Sequence, residues 1–203
     1  MFDFDAGLPA EIVPLSWLLG VWEGTGVLSY RMGDEVREGE FGQRVAFTHD
    51  GTPHMQYVSS SWLIDPGTEA PPVAPLYSEI GYWRLSRPLG EGDQGPGMLP
   101  ATADPTFTTA EAVETLRNER GAFDIEVSIV QPGGVSEIYL GQVDGPRIDL
   151  ASDAVVRTAT AKEYAAATRI YGLVDDHLLW AWDIAALGQD LRTHSSGRLA
   201  RVE

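Results

Sequence analysis

Hydrophobic and polar positions alternate with a period of two along most of this chain, in short runs closed by Gly, Pro or Asp. Side chains on a strand point to opposite faces in turn, so such runs predict half-buried β-strands. They fall at 22–31, 41–49 (FGQRVAFTH), 53–64 (PHMQYVSSSWLI), 75–86, 122–130, 135–143, 147–151, 161–173, 177–185 and 196–202. Asp50-Gly51, Asp65-Pro66-Gly67, Gly133-Gly134, Asp144-Gly145 and Asp175-Asp176 supply the turns between them. About ten short strands joined this way predict an all-β fold, an antiparallel barrel or a sandwich.

Four stretches break the rhythm. Residues 1–13 read as a loose leader, and Pro14 to Gly20 as a short helical turn, with Pro at its start and Gly at its end. Residues 87–105 are dense in Gly and Pro, and 108–120 (TTAEAVETLRNER) have helix-forming composition, with Thr108 or Thr109 as cap and Glu111 in the first turn. The two together form an insertion at about 87–121 within one domain spanning 14–203, too short and polar to bury a core of its own. Folded over a barrel mouth, it would restrict access to the interior.

The stretch Gly20-Val21-Trp22-Glu23-Gly24-Thr25-Gly26 is a G-x-W-x-G-x-G pattern that puts Trp22, Gly24 and Gly26 on one strand face. Glycine weakens a strand interior. The pattern therefore suits a point where a barrel closes, with the ring as plug and backbone crossing over the glycines. A bulge or turn that contains a Trp is the alternative.

Charge and composition narrow the function classes. The 203-residue chain has 14 Lys+Arg against 30 Asp+Glu, a net charge of −16, which excludes the basic footprint that nucleic acid or an anionic membrane surface requires. It contains no cysteine, so disulfides, thiolate metal sites and cysteine nucleophiles are excluded. The start of the chain lacks a basic segment followed by an apolar one, and no apolar run approaches the roughly 18 residues of a membrane span. A cytoplasmic protein is expected. Metalloprotease, serine-hydrolase and phosphate-loop motifs are missing, and the many carboxylates read as solvated turn residues.

The candidate chemistry lies with four histidines. His49, His54 and His177 flank turns and read as solvated. His194 ends a non-alternating link, 185–194, between the last two predicted strands. A link crossing a barrel mouth can aim one side chain inward, and neutral imidazole is a common metal ligand; an ordinary loop histidine is the other reading. On the strand before it, Leu178, Trp180, Trp182 and Ile184 share one face, and Leu179, Ala181, Asp183 and Ala185 the other. The pattern does not say which face is inward.

Several segments, in order, resemble the nitrobindins, haem-binding β-barrels shaped like fatty-acid-binding proteins. LSWLLGVWEGTG resembles their opening signature and FGQRVAFTH their second strand. Ser78-Glu79-Ile80-Gly81-Tyr82-Trp83-Arg84 is similar to their E-x-G-[FY]-x-R strand, and Gln131 to Glu137 (QPGGVSE) to their Q-x-x-G-x-x-E hairpin. Leu187 to His194 (LGQDLRTH) is similar to the link carrying their axial histidine. The match covers 14–84 and 122–203. It implies a ten-stranded antiparallel up-and-down barrel with a short N-terminal helical cap. It also implies one ferric haem b, His194 as its axial iron ligand, isomerisation of peroxynitrite to nitrate, reversible nitric oxide binding, and a homodimer as one compatible assembly. Lys162, the one lysine, matches a Lys-Glu pair near the haem site and would pair with a propionate; read alone, it is a solvated strand-edge lysine. The chain departs from the family at Tyr30-Arg31-Met32-Gly33, at Asp190 where many members have Pro, and at Tyr77 where many have His. A carrier of lipid or another apolar molecule on the same barrel is the competing function. An adaptor binding a protein partner through its insertion is a third.

Overall fold

The structure, a computed structural model, describes residues 7–32, 35–64 and 74–203. It contains ten strands: β1 Gly20–Met32, β2 Glu35–Thr48, β3 Met55–Leu63, β4 Pro75–Leu85, β5 Phe123–Gln131, β6 Val135–Asp144, β7 Arg147–Arg157, β8 Tyr164–Val174, β9 His177–Ala186 and β10 Arg192–Arg201. Each pairs antiparallel with the next, and β10 returns to β1, so the sheet closes into a barrel. The turn at Asp65-Pro66-Gly67 and the departure at Gly33 lie outside the described residues, as do the first six residues of the expected leader.

The β1–β10 seam shows why the glycine pattern is needed. A Cβ on Gly24 would run into the Arg198 carbonyl, and one on Gly26 into the Ser196 carbonyl and the Phe41 ring. Trp22 is 1% exposed and its indole N–H donates to the Leu18 carbonyl at 2.7 Å. The Arg201 guanidinium lies 4.2 Å from the Trp22 ring centre and donates to the carbonyls of Trp17 (2.8 Å) and Leu19. These contacts lock the start of the barrel onto its last strand.

Antiparallel order gives the barrel two unlike ends. One is closed by a 3₁₀ segment, Ala10–Leu18, which begins four residues ahead of Pro14 and buries Ile12, Leu15 and Leu18 beside Trp22. The 86–122 connection joins the end of β4 to the start of β5 and therefore sits at this closed end, opposite the mouth, so it does not restrict access to the interior there. Its helix α1, Ala110–Glu114, is one short turn capped by the Thr109 hydroxyl, where 108–120 had been expected to be helical. Thr115 and the turn that follows end it early. Arg87 ties the connection to the plug, donating to Glu11 at 2.6 and 2.8 Å and to Asp93 at 2.7 and 2.8 Å, with all three side chains largely buried. None of the described helices is long and apolar enough to cross a membrane.

Candidate functional site

The opposite end opens into a cavity of about 390 Å³ inside the barrel. Its walls carry Leu28 and Phe41, Tyr57, Tyr77, Tyr164 and Tyr171, and Leu178, Trp180, Trp182 and Ile184. The face of β9 that the pattern left open is thereby decided: the even-numbered set points inward.

His194 reaches this cavity because of a bulge. Along β10, Ser195, Gly197 and Leu199 lie opposite the inward Trp182, Trp180 and Leu178 of β9. Unbroken alternation would turn Thr193 inward and His194 outward. The pairing slips between Thr193 (opposite Asp183) and Ser195 (opposite Trp182), leaving His194 as the extra residue. A bulge bends its strand and re-aims one side chain. The strand starts at Arg192, so His194 lies within it and not in the preceding link, as the sequence reading had it. A true loop at 187–191 followed directly by the bulge breaks the alternation twice, which is why 185–194 reads as one link.

The ring is half-buried and stands edge-on to Trp182, with centroids 5.7 Å apart and an interplanar angle of 87°. Burial lowers its pKa below the usual imidazole value, against a backbone hydrogen bond with Ser29 that favours the charged ring, and the nearby Arg192 charge lowers it further. The ring is therefore neutral at pH 7. The Ser29 backbone engages one ring nitrogen, which leaves the other for a ligand. The other histidines sit at the closed-end hairpins: His49 and His54 between β2 and β3, and His177 between β8 and β9. They are not brought to the cavity.

Lys162 lies in the β7–β8 turn at the open end, two residues before the cavity-lining Tyr164, with its side chain exposed. The structure places it at the mouth but not against His194. Tyr77, standing where a second histidine was considered, lines the cavity and packs on Trp182 with ring centroids 5.5 Å apart.

The reading of the carboxylates as solvated fails at the cavity floor. Glu79 is 4% exposed and Glu137 is 1% exposed. Arg169 of β8 grips Glu79 with two bonds, 2.6 Å to Oε1 and 2.8 Å to Oε2, while Tyr57 donates to Oε1 at 2.6 Å and Tyr77 to Oε2 at 3.0 Å. Glu137 accepts from Gln131 at 2.7 Å, from Tyr164 at 2.6 Å and from Tyr139. Burial alone would raise the Glu79 pKa; the Arg169 charge and the four donated bonds outweigh it and hold the carboxyl below its ordinary range. Burial pushes the Tyr57, Tyr77 and Tyr164 hydroxyls up, so they remain protonated donors. The Arg169 guanidinium lies 4.3 Å from the Trp182 ring centre, so this floor also braces the wall on which His194 leans.

These parts fit a planar apolar group held by a single axial imidazole. The described residues contain no group of three or more His, Asp or Glu able to hold a bare metal ion. They do offer one oriented neutral imidazole above aromatic walls. The indole N–H groups of Trp180 and Trp182 and the Gln43 Oε1 are buried in the cavity wall without hydrogen-bond partners among the described residues.

Residues 11–201 match the family model of the THAP4-like, heme-binding beta-barrel domain. The chain belongs to this family. Curated relatives agree along the full length. A protein of Leifsonia xyli subsp. xyli is 64% identical over 203 residues, and one of Clavibacter michiganensis subsp. michiganensis is 61% identical over 203, each with 100% of both chains covered. Both are named peroxynitrite isomerase. Among solved structures, that of Rv2717c from M. tuberculosis aligns with a TM-score of 0.66 at 27% identity, covering 97% of this chain and 99% of the other. Haem is thus the cofactor of the family whose barrel this chain shares.

Proposed function

We propose that this protein is a haem-dependent peroxynitrite isomerase, converting peroxynitrite to nitrate, with His194 as the axial ligand of haem iron. The observation that carries the assignment is the bulge at Thr193/Ser195, which turns one neutral imidazole into an otherwise aromatic cavity. The names of its full-length relatives support the substrate.

When bound, ferric haem supplies a Lewis-acidic position at which peroxynitrite is activated and its atoms rearrange to nitrate. The chain's own residues do the rest. His194 would hold the haem iron, its ring engaged by the Ser29 backbone and packed edge-on against Trp182. Leu28, Phe41, Trp180 and Ile184 exclude water from the interior. The tyrosine hydroxyls of the floor are engaged by Glu79 and Glu137 and so stay out of the reaction. Lys162 would pair with a propionate at the rim; its ammonium is exposed and has no carboxylate partner among the described residues. The same position would also take nitric oxide reversibly.

The compartment is the cytoplasm and the assembly a homodimer. Cross-strand neighbours Val58, Ile80 and Val130 leave an exposed apolar row on the outer wall, where a second copy of an acidic chain can approach without charge opposition. Sedimentation velocity of wild type and Ile80→Glu tests this, with a monomeric wild type as the contrary result.

The activity is tested by stopped-flow decay of peroxynitrite with nitrate and nitrite quantified. The ferric holoprotein should accelerate decay in proportion to its concentration and raise the nitrate yield. Decay no faster than with apoprotein would contradict the assignment.

A further inference from the structure

The cavity floor contains a complete carboxylate-binding site whose occupant belongs to the chain itself. An ionised carboxylate has about four acceptor positions, and a guanidinium offers a planar two-pronged fork. Glu79 uses all four: two bonds from the Arg169 fork and one from each of the Tyr57 and Tyr77 hydroxyls. All four residues line, or lie at the base of, the cavity reached from the open end. The remaining donors of Arg169 point to the hydroxyls of Tyr139 (3.0 Å) and Tyr171 (3.4 Å), and Glu137 stands 3.7 Å from the guanidinium. Nothing in this set is left to receive a second carboxylate, and an arriving one would meet Glu79 at close range without an unpaired cation to offset it.

We propose that Glu79 is a specificity-determining residue: an internal carboxylate that fills the Arg169 site and closes the barrel to long-chain carboxylic acids entering head first. The barrel is then an apolar cavity for ligands whose buried end carries no charge. Remove the Glu79 side chain, and the same four donors become a ready site for a fatty-acid head group. This inference rests on the floor of the cavity and stands apart from the haem assignment.

The test uses full-length apoprotein titrated with the fluorescent polyene cis-parinaric acid and, separately, with its methyl ester. Wild type should bind the acid no better than the ester. Glu79→Ala should bind the acid about tenfold or more tighter than wild type does, the scale of one charge-assisted bidentate contact. That gain should vanish in the double variant Glu79→Ala/Arg169→Met, while ester binding follows neither change. Glu79→Gln, which keeps the side-chain shape and removes the charge, should move acid binding in the same direction if the alanine variant does not fold. Wild type preferring the acid, a folded Glu79→Ala that takes up no acid, a Glu79→Gln without change, or a gain that survives loss of Arg169 would each overturn the proposal.

Discussion

Single residues carry the sharpest contrasts between what the pattern of the chain reveals and what it hides. Trp22 and the glycines beside it were legible because so unusual a strand has few uses, and the seam contacts explain each of them. Truncating Trp22 to Ala removes the ring from the plug and leaves the Leu18 carbonyl without its partner. It should cost about 3–5 kcal/mol in urea unfolding, as large aromatic truncations do. Glu79 was hidden for a definite reason. On β4 Glu79 is buried along with Trp83 and Leu85, while its neighbours Ile80 and Tyr82 are exposed at 57% and 54%, so around Glu79 the polarity is the reverse of the burial. Alternation finds the period of a strand but not its inward face when a buried ion pair replaces the apolar residue. Arg169 and Glu137 were missed on the same ground, and their partner is 90 residues away in the first case. The E-x-G and Q-x-x-G-x-x-E resemblances marked Glu79 and Glu137 without saying what they do.

At the scale of elements, the number of strands and their order follow from hairpin signals, and the structure has ten as expected. Two connections were read less well, because turn chemistry fixes where a strand ends but not where the chain goes next. The link before His194 is shorter than its broken alternation suggested, since a bulge and a loop interrupt the period in the same way. Deleting Thr193 should let β10 pair without interruption and turn His194 out of the cavity. Such a variant should keep the far-ultraviolet circular dichroism of the parent and lose haem uptake. Retention of stoichiometric uptake would show that the bulge does not aim the ring. The insertion could not be placed from sequence, because Gly- and Pro-rich segments carry no face. The buried Arg87 pairs place it on the plug. Breaking a buried pair leaves uncompensated charge, so Arg87→Ala should lower stability by about 3–5 kcal/mol while the haem spectrum stays unchanged.

Across the whole molecule the carboxylates and the imidazole whose pKa values are moved share one sign. His194, Glu79 and Asp93 all have lowered pKa values in the fold, Asp93 to about 2 through its bond from Arg87. A group whose pKa is lower in the fold than in the unfolded chain stabilises above its unfolded value and loses that contribution as pH falls. Urea midpoints of the apoprotein should therefore decline first below about 6.5 and more steeply below about 4, the ordinary imidazole and carboxylate values. Arg87→Ala removes the Asp93 part and should flatten the acid limb between about 4 and 2. The fold is thus built to keep its interior charges paired, with the closed end tied by Arg87, the floor by Arg169, and one neutral imidazole left at the open end. The measurement that reaches this arrangement most directly is a hemin titration of wild type and His194→Ala followed at the Soret band. Wild type should take up one equivalent with a sharp, histidine-ligated spectrum, and His194→Ala should give a weak, shifted band or none. Identical spectra and stoichiometry for the two proteins would contradict His194 as the iron ligand.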